Sequence, residues 1–163
     1  MIFEGIESNP TARLIVCERT GRWAIALRRE LADAGVRVWE TRTLAGCLEE
    51  MAASPASFVV LEIDSEPSGV LQLLARQQRD FPAARLAIAC DSSYAAYEPL
   101  TREAGAVHFV DSPRRAGLLA RLACRHLAQT PSPRQSLTES IWSSLPWTDR
   151  RAASQSTAAR PRP

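Results

Sequence analysis

The chain contains no lysine. Its 163 residues include 20 basic side chains, all of them arginine. Every fixed positive charge is therefore a planar guanidinium, and no site can draw on an ammonium group. Histidine is nearly as scarce, at two, and the four cysteines (Cys17, Cys47, Cys90, Cys124) are far apart with no C-x-x-C pair. That spacing excludes the usual Cys/His zinc patterns, so no metal is expected and the thiols read as small reduced hydrophobes. Apolar runs are short, Phe58–Leu61 and Ala87–Cys90 being typical, against the ~20 residues that a membrane-spanning helix needs. The opening Met-Ile-Phe-Glu-Gly-Ile-Glu lacks the basic and apolar regions of a signal peptide. A cytoplasmic protein without a membrane span is expected. Neither G-x-G-x-x-G nor a Walker pattern occurs, and no cofactor is expected.

What charge there is falls unevenly. Residues 1–134 carry 16 arginines against 16 acidic residues, whereas 135–163 carry four arginines against Glu139 and Asp149. A neutral body offers no surface for nucleic acid.

Hydrophobic patterning predicts five strand-and-helix pairs between residues 13 and 129. The strands are Arg13–Cys17, Val36–Glu40, Phe58–Ile63, Arg85–Cys90 and Val107–Val110. Helices are expected over 20–34 (Ala24, Leu27 and Leu31 inward, Gly35 as the stop), 44–53, 68–80, 94–104 (interrupted or delayed by Pro99) and from Pro113 to about 129. The second strand alternates Val36, Val38 and Glu40 against Arg37 and Trp39, which suits an edge strand solvated on one side. Strict alternation implies a three-layer α/β sandwich: a parallel five-stranded sheet of order 2-1-3-4-5 with helices on both faces. Any functional cleft then lies at the carboxyl ends of the first, third and fourth strands. Residues 1–12 read as a lead-in, 13–129 as the domain and 130–163 as a Pro/Ser/Ala/Arg-rich tail.

The strand ends read Cys17-Glu18, then Val-Val-Leu-Glu62-Ile-Asp64-Ser-Glu-Pro67-Ser-Gly69, then Cys90, then Phe109-Val-Asp-Ser112-Pro113. In layout and spacing this resembles the receiver domains of response regulators, over about Arg13–Gln129. The resemblance implies an acidic pair after the first strand to bind magnesium, where Cys17-Glu18 stands, and a phospho-accepting aspartate at the end of the third, where Glu62 stands. It implies a threonine or serine at Cys90 and a lysine at Ser112, followed by the retained Pro113. Nearly every signature residue is changed. Phosphoryl transfer to a carboxylate needs positioned cations to neutralise developing charge, and the extra methylene of Glu62 displaces its oxygens by more than ~1 Å, an error that can cost about 100-fold. The resemblance is therefore to a degenerate receiver without aspartyl-phosphate chemistry. Asp64 is a reserve acceptor, and Glu18, Glu62 and Asp64 are the one set of carboxylates with a residual magnesium site in view. The plainer reading pairs Glu62 with Arg19, Arg22 or Arg114.

Two other readings come from the residues. Cys17-Glu-Arg-Thr-Gly-Arg22 puts a thiol before a helix start, but C-x4-R is one residue shorter than the C-x5-R loop of cysteine phosphatases. A cysteine-dependent enzyme or redox sensor at Cys17 is thus the alternative to a non-enzymatic module. A Cys17–Cys90 disulfide is excluded if the third strand lies between them. In the tail, Ser136-Leu-Thr-Glu139 forms a capping box opening a short segment, 136–147, in which Ile141, Trp142, Leu145, Pro146 and Trp147 have the character of a docking motif for a protein partner. The alternatives are that it folds back onto the chain's own domain or attaches to a membrane surface. Partner identity and oligomeric state are left open by the sequence.

Overall fold

A computed structural model describes residues 12–130. Five strands, β1 (Leu14–Cys17), β2 (Val38–Thr41), β3 (Phe58–Ile63), β4 (Arg85–Cys90) and β5 (His108–Val110), pair in parallel in the order β2-β1-β3-β4-β5. Between and after them run α1 (Arg22–Glu30), α2 (Leu44–Ala53), α3 (Pro67–Asp80), α4 (Glu98–Glu103) and α5 (Ala116–Gln129). The expected α/β architecture and strand order are both present. The docking residues Ile141, Trp142, Leu145, Pro146 and Trp147 lie outside the described residues. Among the described residues no helix is long and apolar enough to cross a membrane.

Side-chain alternation along the buried strands divides the core in two. Leu14, Val16, Phe58, Val60, Ala87, Ala89 and Val110 face α1 and α5, packing on Trp23, Leu27 and Leu119. Ile15, Cys17, Val59, Leu61, Ile63, Leu86 and Ile88 face the other way, against Cys47 and Met51 of α2 and Val70, Leu73 and Leu74 of α3. The buried Gln77 anchors the end of α3: its amide Nε2 donates to Phe81 O at 2.9 Å and to Ala84 O at 3.0 Å. This closes the turn that leads into β4.

The boundaries of β3, β4 and α2 match the sequence pattern, while others shift for identifiable reasons. The first helix ends at Glu30 rather than 34. Leu31 N–H makes the last helical bond, to Leu27 O, and Ala34 N–H turns back to Leu31 O. Gly35, at φ +66°, closes the reversal and not the helix itself. Pro99 sits in the first turn of α4, which is preceded by a 3₁₀ segment, Ser92–Tyr97, so the delay expected there is real. On α5 the fully buried face is Ala116, Leu119, Ala120 and Ala123, with Leu118, Leu122 and Leu127 only half-buried. Small residues bring this helix close to the sheet and push the leucines to its flanks. The edge strand β2 is not bare on its second side, because Trp39 packs against the core and the guanidinium groups of Arg13 (4.0 Å) and Arg37 (4.4 Å) lie over its ring.

His126 ties α5 to the amino-terminal edge of the sheet. Its Nε2 is 2.7 Å from Ala56 O, and its ring lies against Phe58. A carbonyl can only accept, so Nε2 carries the proton. Burial holds the imidazole below its ordinary pKa despite that bond. The unfolded chain therefore binds the proton more readily than the folded one. The His126 contribution is complete above the unfolded value of about 6.5 and is lost as pH falls through the folded value. His126→Gln, which keeps an N–H donor without a titrating ring, is expected to flatten the loss of stability on going from pH 7 to pH 5, as read from urea unfolding midpoints.

Candidate functional site

Parallel pairing brings the carboxyl ends of β1, β3 and β4 to one edge. Cys17 lies opposite Leu61, and Cys90 opposite Ile63. Glu62 therefore falls between them, one residue inside the end of β3. Alternation sends Cys17 toward α2 and α3, and Glu62 toward α1.

Glu18 does not face a cation. Its side chain folds back over the loop 19–21, where Gly21 takes φ +85° just before α1. Oε2 accepts from Trp23 N–H at 2.8 Å and Oε1 from Ala24 N–H at 2.6 Å. Gly21, the residue before the helix, has no side chain to cap it, so a carboxylate from the end of β1 does so, favoured by the partial positive charge there. Glu18 is almost completely buried, and both its oxygens are committed.

Glu62 and Asp91 are held by one arginine. Arg22 Nη2 donates to Glu62 Oε1 at 2.8 Å, and Arg22 Nη1 donates to Asp91 Oδ1 at 2.6 Å. The second oxygen of Glu62 accepts Arg19 N–H at 2.9 Å. The Glu62 side chain retains 7% exposure against 35% for Arg22 and 55% for Asp91, so the carboxylate that most needs a partner has two. Proximity to the guanidinium holds Asp91 below the usual carboxylate range, and Asp91, followed by Glu62, raises Arg22. Asp64, just past β3, accepts Glu66 N–H at 3.2 Å and pairs with the exposed Arg19 at 3.3 Å.

The remaining receiver-like positions are occupied by groups of other character. Cys90 is wholly buried, and its thiol is pushed up to about 11, first by burial and then by Asp111 and Asp91. Ser112 caps the 3₁₀ turn Pro113–Arg115, its Oγ accepting Arg114 N–H at 3.4 Å. Arg114 lines a groove between α1 and α5 with Glu30.

Magnesium does not fit this arrangement. The oxygens of Glu18 point into the helix start, those of Glu62 are taken by Arg22 and Arg19, and among the described residues no three His, Cys, Asp or Glu side chains converge as a metal cage. The residual magnesium site considered for Glu18, Glu62 and Asp64 is not formed. A cavity of about 300 Å³ opens beside these groups, its wall including Cys17, Arg19, Arg42, Glu62, Ser68 and Gln72.

Asp91 escaped the sequence reading, although it directly follows Cys90, which lies opposite Ile63, and so stands just past the same strand end as Glu62. The placement of Cys47 in the same core cluster as Cys17 also escaped it, since nothing in their separation along the chain announces it.

No protein-family model matches the sequence, and no curated protein does. Among solved structures the chain is similar to a response regulator from Thermotoga maritima, with a TM-score of 0.60 at 17% identity, covering 73% of this chain and 99% of that one. It is also similar to an orphan response regulator of H. pylori (TM-score 0.56, 16% identity, 73% and 98% covered). A third is a response regulator receiver domain from Rhodospirillum rubrum (0.57, 13%, 74% and 97%). The fold is that of a receiver domain. At these identities the likeness is one of fold, and this chain's chemistry rests on its own strand ends.

Removing Arg22 leaves a desolvated carboxylate short of its cation. Arg22→Ala is expected to destabilise the protein by about 2–3 kcal/mol, below the 3–5 of a fully buried pair because Arg22 is partly exposed. Replacing both members, as Arg22→Met with Glu62→Leu, is expected to recover much of that loss. Urea unfolding of the wild type, the two single variants and the double variant measures the coupling directly.

Proposed function

We propose that this chain is a non-enzymatic, receiver-like regulatory module of the cytoplasm that acts through protein partners and carries out no aspartyl-phosphate chemistry. The observation that carries this reading is the engagement of Arg22 with both Glu62 and Asp91. In-line attack on a phosphoryl donor needs a carboxylate oxygen free to act as nucleophile and cations free to take up charge on the transferring group. Here the oxygens of Glu62 are bound, both terminal nitrogens of Arg22 are spent, and the sequence holds no lysine to replace it. With Glu62 and Asp91 already held from within by Arg22, the site keeps one state. The same engagement counts against the cysteine-phosphatase alternative, since the arginine of C-x4-R is turned toward carboxylates. For the partner-docking element we propose Ile141, Trp142, Leu145, Pro146 and Trp147.

Incubation of the full chain with acetyl phosphate and magnesium is expected to leave its intact mass unchanged, and stoichiometric addition of a phosphoryl group would overturn the reading. A pull-down comparing the full chain with one ending at Pro131 tests the docking element: partners specific to the full chain are expected, and recovery of the same partners by both would remove those five residues from the role.

A further inference from the structure

We propose that the groove between α1 and α5 is a docking site for an acidic, leucine-bearing peptide segment of a partner protein. This rests on reading the chain as a module that acts through protein partners, and adds where on the domain a partner sits and which chemistry it brings. Ion pairing leaves the arginines unequal. Arg13 meets Glu50, Arg19 meets Asp64, and Arg22 meets both Glu62 and Asp91. Glu40 takes Arg28 and Arg42, Asp80 takes Arg76 and Arg79, Glu98 takes Arg102, and Asp111 takes Arg115. Arg37 lies over Trp39, and Arg85 donates to the carbonyls of Pro82 and Ala84. Among the described residues, that leaves the side chains of Arg29, Arg114, Arg121 and Arg125 without a partner.

These four are exposed, and they stand together. α1 and α5 cover the same face of the sheet, and between them lies a groove of about 520 Å³ bordered by Arg114, Arg115 and Arg121. A second hollow of about 260 Å³ continues it past Arg29, with Glu30 and Arg114 in the walls of both. Arg125 follows Arg121 by one turn of α5 and so lies on the same side of the helix. Glu30 is the one acid in either lining. It reaches across to α5, where a Cβ on Gly117 would come within 2.9 Å of its Oε2, yet it forms an ion pair with none of the arginines around it.

The lining states what the occupant must offer. Unpaired guanidinium forks call for carboxylates, which they bind through paired hydrogen bonds. Below them Leu31, Ala34, Leu118, Ala120 and Cys124 form an apolar floor, of which Leu118 and Cys124 are only half-buried. A segment that carries apolar side chains among its acids satisfies both surfaces at once. A nucleic-acid backbone would present charge alone to that floor and would set its phosphates against Glu30. Residues 135–163 of the chain itself have the wrong sign, with four arginines against Glu139 and Asp149. Charge complementarity therefore selects an acidic segment from another protein.

The test uses the full chain and a short fluorescein-labelled peptide of glutamate and leucine, read by fluorescence anisotropy. Binding is expected, with none by the matching peptide of lysine and leucine. Arg114→Glu with Arg121→Glu is expected to weaken it by about tenfold or more, and Glu30→Gln to strengthen it. Arg79→Glu, an exposed reversal on α3, is expected to change nothing. Location is read at Cys124, which lines the groove while Cys17, Cys47 and Cys90 are buried. The chain has no lysine, so trypsin releases Cys124 in the peptide 122–125, and bound peptide is expected to protect it from N-ethylmaleimide. No binding of the acidic peptide, an equal loss in Arg79→Glu, an unprotected Cys124, or tighter binding of a single-stranded oligonucleotide would overturn the proposal. Phosphoryl transfer has no part in these measurements. Phosphorylation by acetyl phosphate would count against the regulatory reading alone, and peptide binding would still be decided by anisotropy.

Discussion

A carboxylate placed near the end of a central strand, with almost no access to water, is tolerable only if something positive meets it. In this chain that something is Arg22, whose two terminal nitrogens reach Glu62 on β3 and Asp91 after β4. The guanidinium suits the position because its planar fork addresses two acceptors at once, with little freedom to lose. Since Arg22 is also the first residue of α1, the same contact sets where that helix begins. Glu18 completes the arrangement from the other side by capping the helix with both of its oxygens. The loop 18–22, the start of α1 and the ends of β1, β3 and β4 are therefore one electrostatic unit.

Much of the fold was legible in the sequence because its central strands are buried on both faces. Phe58–Ile63 and Arg85–Cys90 are short, nearly unbroken apolar runs bounded by turn residues, and such runs have few alternatives. The features that eluded the pattern depend on neighbours distant along the chain. The inward face of α5 is defined by alanines, and a hydrophobicity pattern gives more weight to leucines that end up at the flanks. Trp39 looks like an exposed aromatic on an edge strand until Arg13 and Arg37 are seen to lie over its ring.

The site was legible by position and obscure by partner. Strand topology indicated that Cys17, Glu18, Glu62 and Cys90 would gather at one edge, because parallel strands must end together. It did not indicate which way each would turn. A carboxylate beside three arginines can pair with any of them, and the one chosen follows from the length of the β1–α1 loop and the conformation of Gly21. Cys47 belongs to the same class of feature, since the short passage from β2 into α2 brings it into the core cluster that holds Cys17.

The lock formed by Arg22 has a consequence for how this site responds to its surroundings. An ion held from solution exchanges with a reservoir, so its occupancy follows the composition of the medium and can be stripped by a chelator. A cation carried on the chain's own side chain has no reservoir. Its effective concentration is fixed when the chain folds, and no chelator can strip it from the carboxylates it holds.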